Sequence, residues 1–485
     1  MTAKAGASSG VEQNWNRIDW VQLQENVKRL QMRIAQAVSE KRWNKVKALQ
    51  WLLTHSKQAK LLAVKRVTSN RGKNTPGVDG VVWRVGRQKI LAALSLKRHG
   101  YKPLPLRRIY IPKRDGRKRP LSIPTMYDRA MQALYMMALV PVAETTAEWN
   151  SYGFRENRSC ADAMVQIFIC LSGRNAAPMI LEGDIKSCFD TISHEWMIQH
   201  IPMDAEILRK FLQAGYLEQG KYFETKEGTP QGGVISPILA NMVLDGLEEA
   251  VRKAVPRRSR VNVIRFADDF IITALNEELL RDHILPALTT FLKERGLELS
   301  PTKTVITSLR KGFDFLGQNV RRYGTGRGKL LIKPSRTSID RMKENIRQTL
   351  RRGRGWPVKN VVKALNSRIR GWAMFHRHAV SSETFGSLDN FLYSALWRWI
   401  RRYHRKKSNR WLRHKYWSLG EGRTFSVKEK VKQGRKEGHR YHVLTWFRTI
   451  RLVRYIKVRG EANPYSRTWT TYFQERRQGK RFRPC

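Results

Sequence analysis

Acidic residues are scarce in this chain. Its 485 residues carry 40 Asp and Glu against 93 Lys and Arg, a formal charge of +53. A surplus that large selects a polyanion as partner. The shortage deepens late in the sequence: after residue 400 there is no Asp and there are 5 Glu, against 26 Lys and Arg. A nuclease of the RNase H kind, which needs several clustered carboxylates, is not expected there. Cysteine is scarcer still. Cys160, Cys170, Cys188 and Cys485 include no Cys-x-x-Cys pair, so neither a zinc knuckle nor a disulfide framework is indicated. Long apolar runs are also missing. The longest, ALYMMALVPVA at 133–143, contains Pro141 and is too short to span a bilayer. The opening MTAKAGASSG has neither the apolar stretch of a secretory signal nor the arginines of a transit peptide.

What is present points one way. The hydrophobic fraction is 41%, which allows real cores and, at this length, two to four domains. The basic residues are interleaved with 15 Trp, 15 Tyr and 17 Phe. Cations that follow phosphates, with rings on which bases stack, suit nucleic acid better than a membrane surface.

Periodicity assigns most elements. Residues 1–15 read as a polar tail. From Trp20 to about Val67 the pattern is helical, with Val27, Leu30, Ile34 and Val38 on one face. RRIYIPKRDGRKRPLSIP at 107–124 reads as strand, turn at Asp115-Gly116 and strand, and a helix follows through DRAMQALYMMALVPVAE. PMILEGDIKSCFD at 178–190 is an apolar strand with a polar end, and Ser193 is placed to cap the next helix. EGTPQGGVISPILANMVLDGLEEAV at 227–251 is a glycine-rich loop and a helix, with Ser236 as its expected cap and Pro237 at its first position. The composition changes at RRYGTGRGKLLIKP, 321–334, which reads as a domain boundary. Three helices are expected beyond it, near 338–352, 358–379 and 383–404. His439 and His442 have the spacing of a helical ligand pair. Their basic surroundings offer no Asp, Cys or third His, so they read as structural or RNA-facing.

The stretch VIRFADDFII, 263–272, sets Asp268 and Asp269 side by side between two apolar runs. Like charges this close repel, and burying either is costly unless a cation compensates. Alone, the stretch allows two readings: a solvated turn, where Asp is common, or a cation site. Asp184, at the end of another apolar strand about 85 residues upstream, favours the second. Three carboxylates from two strand ends can converge, and their hard oxygens suit Mg²⁺. Two such ions about 4 Å apart can activate a primer 3′-hydroxyl and neutralise a leaving pyrophosphate.

These blocks resemble a known family. DIKSCFD, GTPQGGVISPILAN and RFADDF look like the palm motifs of reverse transcriptases encoded by group II introns. TPGVDG, YIPKRDGRKRPLSIPTMYDRAMQAL and SYGFRENRSCADA look like the fingers blocks. RGLELSPTKT and FDFLGQNV look like the end of the palm and the primer grip, and SRIRGWAMFHRH like the thumb, or maturase domain. The resemblance runs from about residue 20 to 475. It implies an α+β right-hand polymerase fold with an antiparallel palm sheet. The implied domains are a helical N-terminal extension at 1–69, fingers and palm at 70–322, a helical thumb (maturase domain X) at 323–405 and a basic DNA-binding region at 406–485. It implies that Asp184, Asp268 and Asp269, helped by the backbone of Ile185, bind two Mg²⁺ ions. Phe189 becomes the steric gate that leaves no room for a 2′-hydroxyl. Lys113 and Arg119 hold the triphosphate. Gln231 and the backbone of Gly232 and Gly233 lie against the nucleotide, and Lys303 stands near its phosphates.

Two departures matter. Phe266 stands where the family usually has Tyr, which removes a hydroxyl and keeps the ring. Many relatives also carry a C-terminal nuclease with paired cysteines, and no such block precedes Cys485. This chain is therefore not expected to cut its DNA target strand. The function implied is RNA-directed DNA polymerase that also binds a group II intron RNA, promoting splicing and retrotransposition by target-primed synthesis. The alternative is an RNA-binding splicing maturase with little or no polymerase activity. An RNA-dependent RNA polymerase shares the carboxylates, but Phe189 argues against it. The expected partners are intron RNA, target DNA and dNTPs, with no membrane. The expected location is the bacterial cytoplasm, at the nucleoid, and an organelle stays open without a transit peptide to support it.

Overall fold

The computed structural model describes residues 15–112, 116, 118–326, 328–419, 424–433 and 436–478. The rest of the N-terminal tail, Lys113, Asp115 and Cys485 lie outside the described residues. The chain divides into two compact units. Unit 1 comprises Met1–Ala163, Met179–Ile306 and Val458–Cys485, and unit 2 comprises Met164–Pro178 and Thr307–Lys457.

Unit 1 begins with helices α1 (Trp20–Ser39), α2 (Trp43–His55) and α3 (Lys57–Ser69). Side chains start two of them: the Asp19 carboxylate accepts from the Val21 and Gln22 N–H groups, and the Ser56 hydroxyl from that of Ala59. Helix α4 (Gly86–Ser95) precedes strands β1 (Leu106–Pro112) and β2 (Lys118–Ile123). These pair antiparallel from Arg107↔Ile123 to Pro112↔Lys118, the hairpin read from the sequence. Helix α5 (Met126–Thr146) is the long apolar run, and it is buried nearly all round: Met131, Leu134, Leu139 and Val142 meet Val27, Ile34, Leu49 and Leu53 in one core. A helix apolar on every side belongs inside a protein or a membrane. Among the described residues no helix is long and apolar enough to cross a membrane.

The palm sheet shares the core of α5 through Leu181, Val263, Phe270 and Ile272. After α6 (Cys160–Ser172) comes β3 (Met179–Asp184), then the short helices α7 (Cys188–Thr191), α8 (His194–His200) and α9 (Ala205–Leu212). Ser193 caps α8 as expected, accepting from the Trp196 N–H. Strands β4 (Tyr216–Glu218) and β5 (Lys221–Phe223) extend the first hairpin into a sheet of order β2-β1-β4-β5. Helices α10 (Ser236–Leu244) and α11 (Leu247–Lys253) follow, then β6 (Asn262–Phe266) and β7 (Asp269–Ala274). A π-helical turn at Leu279–Ile284 runs into α12 (Leu285–Lys293), and β8 (Val305–Ser308) closes the second sheet, of order β6-β7-β3-β8. Ser236 corrects one expectation. It is the first residue of α10 rather than its cap: Ile235 precedes it in helical conformation. Its hydroxyl instead donates to the Pro230 carbonyl at 2.9 Å and accepts from the Thr229 hydroxyl at 2.9 Å, tying off the glycine-rich loop.

Unit 2 opens with an antiparallel sheet of β9 (Phe313–Phe315), β10 (Gln318–Tyr323) and β11 (Lys329–Pro334). Helices α13 (Arg336–Arg352), α14 (Val358–His376) and α15 (Ser382–Tyr403) fall where periodicity placed them. Ile346, Val361, Leu365, Ile369, Leu388, Leu392 and Leu396 form their common core. Helix α16 (Asn409–Tyr416) leads to a hairpin, β12 (Ser426–Gln433) and β13 (Lys436–Val443). His439 and His442 therefore sit on a strand, and the helical pairing does not exist. Three positions apart on a strand point to opposite faces. His439 pairs across to Lys430, while the His442 ring meets Glu429 at 2.6 Å. Lys359 of α14 also bonds Glu429, which roots the hairpin on that helix.

Candidate active site

The three acidic residues singled out in the sequence come together in unit 1. Strands β3 and β7 pair antiparallel with Asp184 directly opposite Asp269. Asp268 occupies the two-residue turn between β6 and β7, after Ala267, whose φ is +58°. A positive φ opens tight hairpins of this kind. The chain beyond Asp184 is pinned too. The Asp184 carbonyl accepts from Ser300 N–H at 2.8 Å, the buried Ile185 pairs with Leu299, and Lys186 N–H donates to Glu298 at 2.9 Å. The same stretch delivers Lys303, whose Nζ stands 2.9 Å from Asp184 Oδ2.

The electrostatics answer the question posed by the paired aspartates. Burial, then the charges of Asp268 and Asp184, push the Asp269 carboxyl up to about 6, although its edge reaches solvent. Burial and Asp184 likewise hold Asp268 above the ordinary carboxylate range, opposed by Arg119 and Lys303. Burial and the Asp268 charge push the nearby Cys188 thiol up to about 12, so it is inert. Lys303 and Arg119 together do not balance three carboxylates. Their hard oxygens, held unfavourably negative at strand ends, fit divalent cations. Among the described residues, no three His, Cys, Asp or Glu side chains already stand in a metal-holding arrangement.

A second group flanks the first. Phe189 lies on α7, partly buried against the core. Its carbonyl accepts the Thr229 N–H at 2.7 Å, and His194 meets the Gly228 carbonyl at 2.7 Å. Gly228 fits so closely that a β-carbon there would stand 2.5 Å from the Asp190 carbonyl oxygen. The loop continues to Gln231, whose carbonyl accepts from Ser122 N–H on β2 at 2.7 Å. Arg119 Nε donates to the Gln231 amide oxygen at 3.0 Å, and the Gln231 amide reaches Asp190 at 3.3 Å. Gly232, at φ +112°, leaves no space for a side chain over Ser122. Gly233 lies where a β-carbon would meet the Ser236 hydroxyl at 2.5 Å. Phe189 and Gln231 thus share one wall, with Arg119 bonded to Gln231 and close enough to act on Asp268, while Gly233 is buried behind the loop. Lys113 lies outside the described residues.

Sequence reasoning missed what holds the hairpin. Residues 150–152 make an isolated parallel bridge to β6: Arg265 N–H donates to the Asn150 carbonyl and Tyr152 N–H to the Arg265 carbonyl, each at 2.9 Å. Gly153 presses on the turn itself, where a β-carbon would stand 2.4 Å from the Ala267 nitrogen. The Arg265 side chain, 1% exposed, bonds Asp245 at 2.7 Å, faces Glu148 at 3.7 Å and donates to Asn241 at 3.3 Å. Asn241 in turn donates to the Gly153 carbonyl at 2.7 Å. The only hint was an Arg beside an apolar strand, a pattern common on surfaces.

An antiparallel sheet with acids at one strand end and in the facing turn, flanked by a basic hairpin, defines a polymerase palm. Residues 15–96 match the N-terminal domain of reverse transcriptase, 111–320 the reverse transcriptase (RNA-dependent DNA polymerase) family, and 339–417 the group II intron maturase-specific domain. The chain belongs to the group II intron-encoded reverse transcriptase and maturase family. It is 33% identical over 313 residues to Protein YkfC of Escherichia coli, covering 55% of this chain and 81% of that one. It is 33% identical over 334 residues to the group II intron-encoded protein LtrA of Lactococcus lactis, covering 54% and 55%. An uncharacterized 91 kDa protein in the cob intron of Schizosaccharomyces pombe is 29% identical over 419 residues, covering 68% and 51%. The chain therefore spans about half the length of these last two relatives.

Proposed function

We propose that this protein is an RNA-directed DNA polymerase that also binds a group II intron RNA, promoting its splicing and its insertion into DNA by target-primed synthesis. The observation that carries the reading is the register that sets Asp184 opposite Asp269, with Asp268 in the adjoining turn. Asp184, Asp268 and Asp269, with the backbone of Ile185, would hold two Mg²⁺ ions. Bound there, such ions supply charge neutralisation at the phosphates and a lowered pKa for the attacking hydroxyl. The chain's own residues do the rest. Arg119 and Lys113 bind the triphosphate as charged donors. Gln231, already fixed by Arg119 and Asp190, orients the nucleotide along the Gly232–Gly233 backbone. Phe189 occupies the space a 2′-hydroxyl would need. Lys303 neutralises Asp184 and stands ready beside the phosphates.

The maturase-specific match at 339–417 and the +53 charge support the intron RNA partner; target DNA and dNTPs complete the set. The test is extension of a DNA primer on an RNA template with dNTPs, beside binding of intron RNA by the same preparation. Extension with dNTPs and not rNTPs is expected. RNA binding without extension would favour the splicing-only alternative.

A further inference from the structure

The last part of unit 1 comes from the far end of the chain. Val458–Arg477, which ends in helix α17 (Thr470–Arg477), lies across the segment that joins α5 to α6. The ties are specific and spread along its length. Val458 N–H and the Arg476 guanidinium donate to the same oxygen of Asp162, at 2.7 and 2.8 Å, and Asp162 is fully buried. Arg476 also donates to the Asn157 carbonyl at 3.0 Å. The Tyr465 hydroxyl donates to Glu156 at 2.7 Å, and Lys28 of α1 sits 3.7 Å over the Tyr465 ring. Asn463 donates to the Thr145 hydroxyl at 3.0 Å, and Arg158 to the Gly460 carbonyl at 2.8 Å. Each tie ends between residues 145 and 162, except the contact from α1.

That segment is the one that supports the aspartate hairpin. Its residues 150–152 bridge to β6, and Gly153 presses on the turn at Ala267. The contacts are continuous from the C-terminal segment, through 145–162, to the backbone of residues 265–267, just before Asp268. We propose that Val458–Arg477 is a positioning strap for the catalytic hairpin. It holds 145–162 in place, and through it keeps Asp268 and Asp269 in register with Asp184. A segment rich in Arg and remote in sequence is then part of the polymerase unit and not only a nucleic-acid-binding tail. The activity arm of the test rests on the polymerase reading; the structural arm does not.

The test uses two variants of the full chain. Asp162→Asn removes the charge that faces Arg476, and Tyr465→Phe removes only the hydroxyl bonded to Glu156. Backbone hydrogen exchange is followed in peptides covering 148–153 and 262–270, and kcat and KM for dNTP are measured in primer extension. Both variants should speed exchange in both peptides and lower kcat by about tenfold, as small misplacements of reacting groups do. KM for dNTP should stay within about twofold, because the nucleotide wall is untouched. If exchange rises only within 458–477 and kcat is unchanged, the strap idea is overturned. Should Asp162→Asn lose its melting transition, Tyr465→Phe decides by the same two measurements. If even the unmodified chain extends no primer, the polymerase reading fails while the exchange result still decides the strap.

Discussion

At the scale of single residues, charge and bulk are separable. Asp268→Asn keeps the shape of the side chain and removes the charge a divalent cation needs. Metal-assisted charge stabilisation is worth several kcal/mol, and each 1.4 kcal/mol is tenfold in rate, so DNA synthesis should fall by at least about 100-fold. Intron RNA binding, measured on the same preparation, should change little; unchanged extension would remove Asp268 from the metal site. Phe189→Val trims the ring on α7 without touching the carboxylates. It should raise the ratio of rNTP to dNTP incorporation, and an unaltered ratio would make Phe189 an ordinary packing residue.

At the scale of elements, the hairpin depends on its buried supports. Gly153→Ala places a methyl group 2.4 Å from the Ala267 nitrogen, against backbone that has no rotamer to change. Overpacking of this kind costs about 1–3 kcal/mol. Because the strain falls on the turn carrying Asp268, primer extension should drop at temperatures well below the melting transition. Glu148 behaves differently. Burial pushes its carboxyl up to about 7 from 4.5, against the pull of Arg265. A folded value above the free value means this group favours the folded state in acid. That contribution is complete below pH 4.5 and is lost as the pH rises through about 7. It amounts to roughly 3 kcal/mol at 1.36 kcal/mol per unit. Glu148→Gln should flatten the fall in melting temperature between pH 4.5 and 8. Asp245, also raised by burial, keeps part of it. A pH profile identical to that of the unmodified protein would show that Glu148 titrates normally.

At the scale of the whole molecule, the charge of +53 governs encounters with nucleic acid. Unit 2 concentrates it: a groove of about 610 Å³ is lined by Arg347, Arg351, Arg354, Arg398, Arg402 and Arg405. Each phosphate neutralised by a single-stranded partner adds roughly −0.7 to the slope of log affinity against log salt. Replacing Arg354, Arg398 and Arg402 by Gln should make the slope for intron RNA shallower by about 2. An unaltered slope would show that this groove faces no phosphate. Truncation is a poorer probe of the same charge, because residues 401–457 lie in unit 2 and Val458 onward in unit 1. Removing everything past residue 400 takes part of both.

The sequence by itself determined the local elements and where the acids fall on them. Helices α1 to α3 and α13 to α15, the basic hairpin β1–β2, the Ser193 cap and the acids at two strand ends were all legible. Each follows from periods of two or 3.6 residues and from contacts three or four positions apart. The same local reasoning put Ser236 at a cap and noted only a helical spacing for His439 and His442, where longer-range bonds prevailed. The hydroxyl of Ser236 is used by the loop before it, and the two histidines follow the pairing of β13 with β12. Only the tertiary structure decided that Asp184 faces Asp269, that Arg265 is buried beneath the turn, and that residues after 457 return to the polymerase unit. Those facts depend on partners from about 20 to about 310 positions apart in the chain. Nothing in a local pattern names such a partner; burial of the strands and helices between them selects it.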